Sequence, residues 1–184
     1  MTLQHTETVI RAGSLKALFV GNELLTKPII LETLKREFDL DYANLPNSYP
    51  FDRYLQMLEW LRTQLYSLDP EAKGYEKLGR GIARGFFQGP VGQVLKLSIG
   101  VMGTQRSMRY FFRILGGALP FGKFEIVEER PGYIRSILYN VPGSPEIMRG
   151  MGLEAIQATN AKNAVITYRK FSSVDTEHIA KWED

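Results

Sequence analysis

Residues 76–102 read EKLGRGIARGFFQGPVGQVLKLSIGVM, and the architecture expected of the whole chain follows from them. The first part belongs to a helix predicted from about Pro70 to Gln88. Tyr75, Leu78, Ile82, Phe86 and Phe87 fall on one side of it, while Lys73, Lys77, Arg80 and Arg84 form a basic stripe along the other. Gly89-Pro90 then interrupts, because proline disfavours helical backbone in the residue before it. Val91 to Met102 is apolar nearly all round, which predicts a central helix enclosed by others, with Gly92 and Gly100 allowing close backbone approach.

On the C-terminal side, Gly103 is expected to end that helix and Thr104 to cap the next. In this next helix Met108, Phe111, Phe112, Leu115 and Leu119 face inward, and Arg106, Arg109 and Arg113 make a second basic stripe. Gly116-Gly117 and Pro120 close the helical part, and the period changes from helical to alternating. Lys123–Glu129 and Tyr133–Tyr139 read as a hairpin around Arg130-Pro131-Gly132. A helix follows from Pro145 to about Asn160, and then strands over Ala164–Phe171 and His178–Trp182.

On the N-terminal side, Glu7 to Ile10 reads as a short strand, followed by a helix with Ser14 as its cap and Leu15, Leu18 and Phe19 on its inner side. A second helix opens at Pro28, and Asp39 to Tyr49 is a loop of turn residues. The clearest amphipathic helix starts at Pro50, with Phe51, Tyr54, Leu55, Leu58, Leu61 and Leu65 on one face. Met57 and Trp60 lie off that face and offer a second contact surface, for a neighbouring helix or for a ligand. The expected fold is therefore α+β: one domain over residues 1–184, with a helical part at about 13–119 packed on a four-stranded antiparallel sheet at about 122–182.

Composition narrows the function classes. With 44% hydrophobic and 23% charged residues the chain belongs with ordinary globular proteins, and its 184 residues suffice for a core without disulfides. The absence of cysteine excludes thiol catalysis, thiolate metal sites and acylation at cysteine. The segment 91–102 is far shorter than the roughly 20 residues that cross a bilayer, so no membrane span is expected, and the N-terminus lacks the pattern of a signal peptide. A cytoplasmic location is the expectation. A formal net charge of +3 without a recognised nucleic-acid motif gives no reason to expect nucleic acid as a partner.

Leu78-Gly79-Arg80 followed by Gly85-Phe86-Phe87-Gln88, Gly103 before an arginine-rich helix, and the ending GLEAIQATNAKNAVITYRKF closed by Trp182 resemble a family of unknown function, roughly two hundred residues long and expanded into paralogues in myxobacteria. The resemblance runs from about Leu15 to Trp182. It implies a distant likeness to the ligand-binding fold of haem-nitric-oxide-binding domains, 4-vinyl-reductase domains and trafficking-complex subunits, in which helices pack on an antiparallel sheet around a hydrophobic pocket. The haem branch uses an axial histidine and a tyrosine-serine-arginine signature. This chain has only His5 and His178 and no Tyr-x-Ser-x-Arg, so no cofactor is expected.

No catalytic or metal-ligating set stands out: Glu128 and Glu129 point to opposite faces of a strand, and the glycines at 79, 81, 85, 89, 92 and 100 form no phosphate-binding motif, their spacing suiting close helix packing. The leading expectation is a non-enzymatic small-molecule-binding or signalling domain for a small hydrophobic or anionic ligand. Trp60, Phe86, Phe87 and Phe111 would line its cavity, and Arg80, Arg84, Arg109 and Arg113 would converge on an anionic group, although such a stripe is more often a solvated helix face. The alternative is a protein-interaction adaptor acting as a homodimer, with an enzyme third. A membrane-surface role would need a basic helix with an exposed apolar face, and the apolar faces here read as parts of the core.

Overall fold

The structure, a computed structural model, describes residues 8–118 and 122–183. Leu119, Pro120, Glu7 and His5 lie outside the described residues. Strand β1 (Val9–Arg11) leads into α1 (Ala12–Gly21), which starts two residues before the expected Ser14 cap, its first N–H bonding Asn47 O at 3.1 Å. Helix α2 (Pro28–Phe38) follows, and then β2 (Ser48–Pro50), which pairs antiparallel with β1 through Ile10 and Tyr49. The end of the expected loop is thus a strand, pinned by the Tyr49 hydroxyl donating to Phe38 O at 2.8 Å. Helices α3 (Phe51–Leu65) and α4 (Glu71–Gln88) form the next pair.

Helix α4 is the axis of the fold, with α1 against one side and α6 (Pro145–Gln157) against the other. Its glycines make this possible: a Cβ at Gly85 would stand 1.9 Å from Ala17 O, and one at Gly79 would stand 2.1 Å from Ile147 O. Bare backbone on both flanks lets three helices approach closely.

Helix α5 (Pro90–Ala118) is broken at Gly103, where φ is +71° and nothing lies near the missing side chain. Glycine is needed there for the backbone turn rather than for space. Before the break the structure corrects the sequence reading. Leu95 and Ile99 are buried, but Val91, Val94 and Leu97 are 57%, 63% and 82% exposed. The segment 91–102 is a peripheral helix with one buried side, because the central place is taken by α4. Its apolarity all round does not report burial all round.

The sheet follows the order β3-β4-β6-β5, all antiparallel, from β3 (Lys123–Arg130), β4 (Tyr133–Tyr139), β5 (Lys162–Lys170) and β6 (Thr176–Glu183). Ile134 and Ile166 both pair with Ala180, and Ser136 and Tyr168 both pair with His178, so these residues form rows across the inner face. Helix α6 covers that face at β5 and β6, while the second half of α5 covers β3, with the Phe112 and Phe124 rings stacked at 4.9 Å. The α+β arrangement is therefore as the sequence predicts, with α6 and the end of α5 in direct contact with the sheet and α4 stacked on α6 beyond them.

Candidate functional site

Where α1, α3 and α4 meet α6 and the end of α5, the side chains leave two adjoining spaces. An inner chamber of about 110 Å³ lies among Ile10, Phe51, Tyr54, Leu58, Leu138 and Met148. An outer cleft of about 540 Å³ lies among Ala17, Val20, Phe86, Val91, Phe111 and Ile114. Ser14, Ile82, Leu115 and Met151 form part of both walls, so the two spaces adjoin. The lining is overwhelmingly apolar. Burial pushes the Tyr54 phenol above its ordinary pKa, which keeps it a neutral hydroxyl.

The exposed polar residues of the outer cleft are Arg11, Lys16 and Gln88, which mark its mouth. Both cations are exposed, and among the described residues neither forms an ion pair within 4.0 Å. An apolar cavity with positive charge at its entrance suits an amphipathic molecule with an anionic end.

The structure places the eight residues singled out from sequence in four regions. Phe86 and Phe111 are in the cleft wall, 6.0 Å apart edge to face, and Phe87 stands directly behind, stacked on Phe111 at 5.8 Å. Trp60 is elsewhere, packed at 5.6 Å against Phe38 of α2. Arg80 and Arg84 face α6, where Glu154 meets them at 3.5 and 3.2 Å, and Arg80 also donates to Gln157 Oε1 at 3.0 Å. Arg109 faces β3 and bonds Glu129 at 2.6 Å, while Arg113 is exposed beside Phe124. The two stripes are thus turned to different elements.

The α4 stripe surrounds a buried acid that sequence reading did not single out. Glu76, on α4, takes hydrogen bonds from Lys73 at 2.8 Å, from Arg80 at 3.4 Å and from Arg149 of α6. Burial works to raise its carboxyl pKa, but the bonds and charges of Lys73 and Arg149 outweigh it and leave the group below the usual carboxylate range. The wall residues Ser14, Val20, Leu115 and Met151 were also missed, since they come from distant parts of the chain and only folding gathers them.

Haem, which the resemblance brings into question, does not fit these walls. Among the described residues, no histidine lines either space. His178 is the sole histidine among the described residues; it lies on the inner sheet face with Nε2 3.2 Å from Thr176 Oγ1 and its ring 5.9 Å from that of Tyr168. Among the described residues no group of three or more histidines, cysteines or acids is placed to hold a metal ion.

The family described as "Protein of unknown function (DUF2378)" matches residues 8–183. No curated protein matches the chain. Among solved structures the chain is similar to an oxygen-binding H-NOX domain related to soluble guanylate cyclases, with a TM-score of 0.70 and 5% identity over 95% of this chain and 96% of that one. It is also similar to an H-NOX protein from S. oneidensis in the Fe(II)NO state, at 0.63 and 10% over 95% and 100%, and to an unliganded Fe(II) H-NOX protein from K. algicida, at 0.59 and 12% over 91% and 95%. At these identities the likeness concerns the fold.

Proposed function

The chain belongs to this family of unknown function, and we propose that it acts as a non-enzymatic small-molecule-binding domain in signalling, taking an amphipathic ligand into the cleft between its helical layer and α6. The observation that carries the reading is the apolar chamber and cleft with the exposed Arg11 and Lys16 at the mouth. The fold shared with H-NOX domains, among them an oxygen complex and an Fe(II)NO form, supports a sensing role without extending their iron chemistry to this chain. In the proposed pose Phe86 and Phe111 contact the apolar part of the ligand, with Phe87 holding them in place, and Arg11 and Lys16 meet its anionic end. We further take residues 8–183 as a single domain.

Native mass spectrometry of protein purified from its own host tests for a co-purifying small molecule. In parallel, titration with anilinonaphthalene sulfonate, an apolar probe with one negative charge, reports the cleft. Leu115→Trp, which fills the junction of the two spaces, should abolish the fluorescence rise. Arg11→Gln with Lys16→Gln should weaken binding about fivefold or more, as expected for two lost charge contacts at an exposed mouth. Binding unchanged in both variants would overturn the proposal.

A further inference from the structure

We propose that the first half of α5 is a docking element for an anionic lipid surface. Val91, Val94 and Leu97 recur every three residues on the outer side of this helix, and exposure rises along the stripe to 82% at Leu97. Leu95 and Ile99 are the residues that this helix buries, and while Val91 borders the cleft, Val94 and Leu97 beyond it line none of the spaces described above. This is the exposed apolar helical face that the sequence alone did not reveal.

Charge identifies the occupant. Between Glu76 and Glu125 the sequence contains no aspartate or glutamate, while Lys96 and Gln93 flank the apolar stripe and Arg106 is exposed beyond the Gly103 break. At its start the stripe joins the cleft mouth, since Val91 lines the same cleft as Arg11 and Lys16. Apolar side chains bordered by cations, with no acid on the element, complement a surface that is negative outside and apolar within, which describes an anionic bilayer. A second copy of the chain fits poorly: it would bring together two helices that carry no acid, with no opposite charge to pair them. A protein partner would need a groove to receive a convex ridge, whereas a lipid surface yields to one.

Co-sedimentation with vesicles tests the proposal, and it is independent of any ligand in the cleft. The protein should pellet with vesicles of equimolar phosphatidylserine and phosphatidylcholine and stay in solution with phosphatidylcholine alone, binding less as salt is raised. Val94→Gln with Leu97→Gln should lower partitioning about tenfold or more, from the lost apolar burial, with the melting temperature and anilinonaphthalene sulfonate binding unchanged. Lys96→Gln should lower it about fivefold. Equal binding to both vesicles, no binding to either, or undiminished binding of the double variant would overturn the proposal. A dimer in light scattering that dissociates in the Val94→Gln, Leu97→Gln variant would instead assign the face to self-association.

Discussion

The His178 imidazole lies among Thr176, Tyr168, Glu146 and Arg149, and burial pushes its pKa from 6.5 down to about 4, against the opposing pull of the Glu146 charge. The folded protein therefore resists protonation that the unfolded chain accepts. Stability from this residue is complete above pH 6.5 and falls as pH drops toward 4, by about 3 kcal/mol in all for a shift of this size. Urea unfolding at pH 7 and pH 5 should show the loss, and His178→Gln should flatten it; the depressed carboxylates Glu76 and Glu146 lose their contributions only as pH falls below about 4.5, the ordinary glutamate value. Glu76, unlike His178, is buried as a charge, and its neighbours depend on it. Glutamine would leave Arg149 and Lys73 without their counter-charge and turn one of the two acceptor oxygens into a donor, so Glu76→Gln should cost about 3 kcal/mol in a chemical denaturation curve at pH 7. Sequence could not find this residue, because one acid on a basic face looks the same whether it is solvated or lies beneath a neighbouring helix.

Helix α4 was legible and the first half of α5 was not, and the difference has a physical cause. In α4 the small residues sit at positions where a side chain is excluded, and spacing alone indicates close packing. Gly85→Ala would drive a methyl to 1.9 Å from Ala17 O, a backbone atom that cannot yield, and should cost about 4 kcal/mol or more. Gly117→Ala meets nothing within 4 Å and should be neutral or stabilising by up to about 1 kcal/mol through helix propensity. Thermal melts of the two variants beside the parent check this pair; equal effects would remove the packing explanation. In α5, by contrast, Val91, Val94, Leu95, Leu97 and Ile99 have similar side chains, and only the placement of neighbours decides that Leu95 and Ile99 are inside. Where composition does not vary around a helix, periodicity carries no information on which side is buried.

The strand pattern of the C-terminal half was readable because the sheet has one buried face and alternation reports it directly: Ile134, Ser136 and Leu138 face in, as do Thr176, His178, Ala180 and Trp182. The cavity was not readable beyond Phe86 and Phe111, since its walls join residues from Ile10 to Thr176 and depend on how α4 is held between α1 and α6. That same arrangement predicts how the molecule unfolds. Glu76 on α4 bonds Arg149 on α6, and α6 in turn covers β5 and β6, so the helical part cannot open without exposing the inner face of the sheet. One cooperative transition should result. The two tryptophans report the two ends of this coupling: Trp60 packs against α2, and Trp182 is buried on β6. In the Trp60→Phe variant fluorescence follows the sheet alone, in Trp182→Phe it follows the helical layer alone, and in each variant the fluorescence midpoint in urea should coincide with the midpoint of far-ultraviolet circular dichroism. A helical layer that melts before or after the circular-dichroism transition would mean that α4 and α6 do not couple the two parts, and the single-domain reading would fall with it.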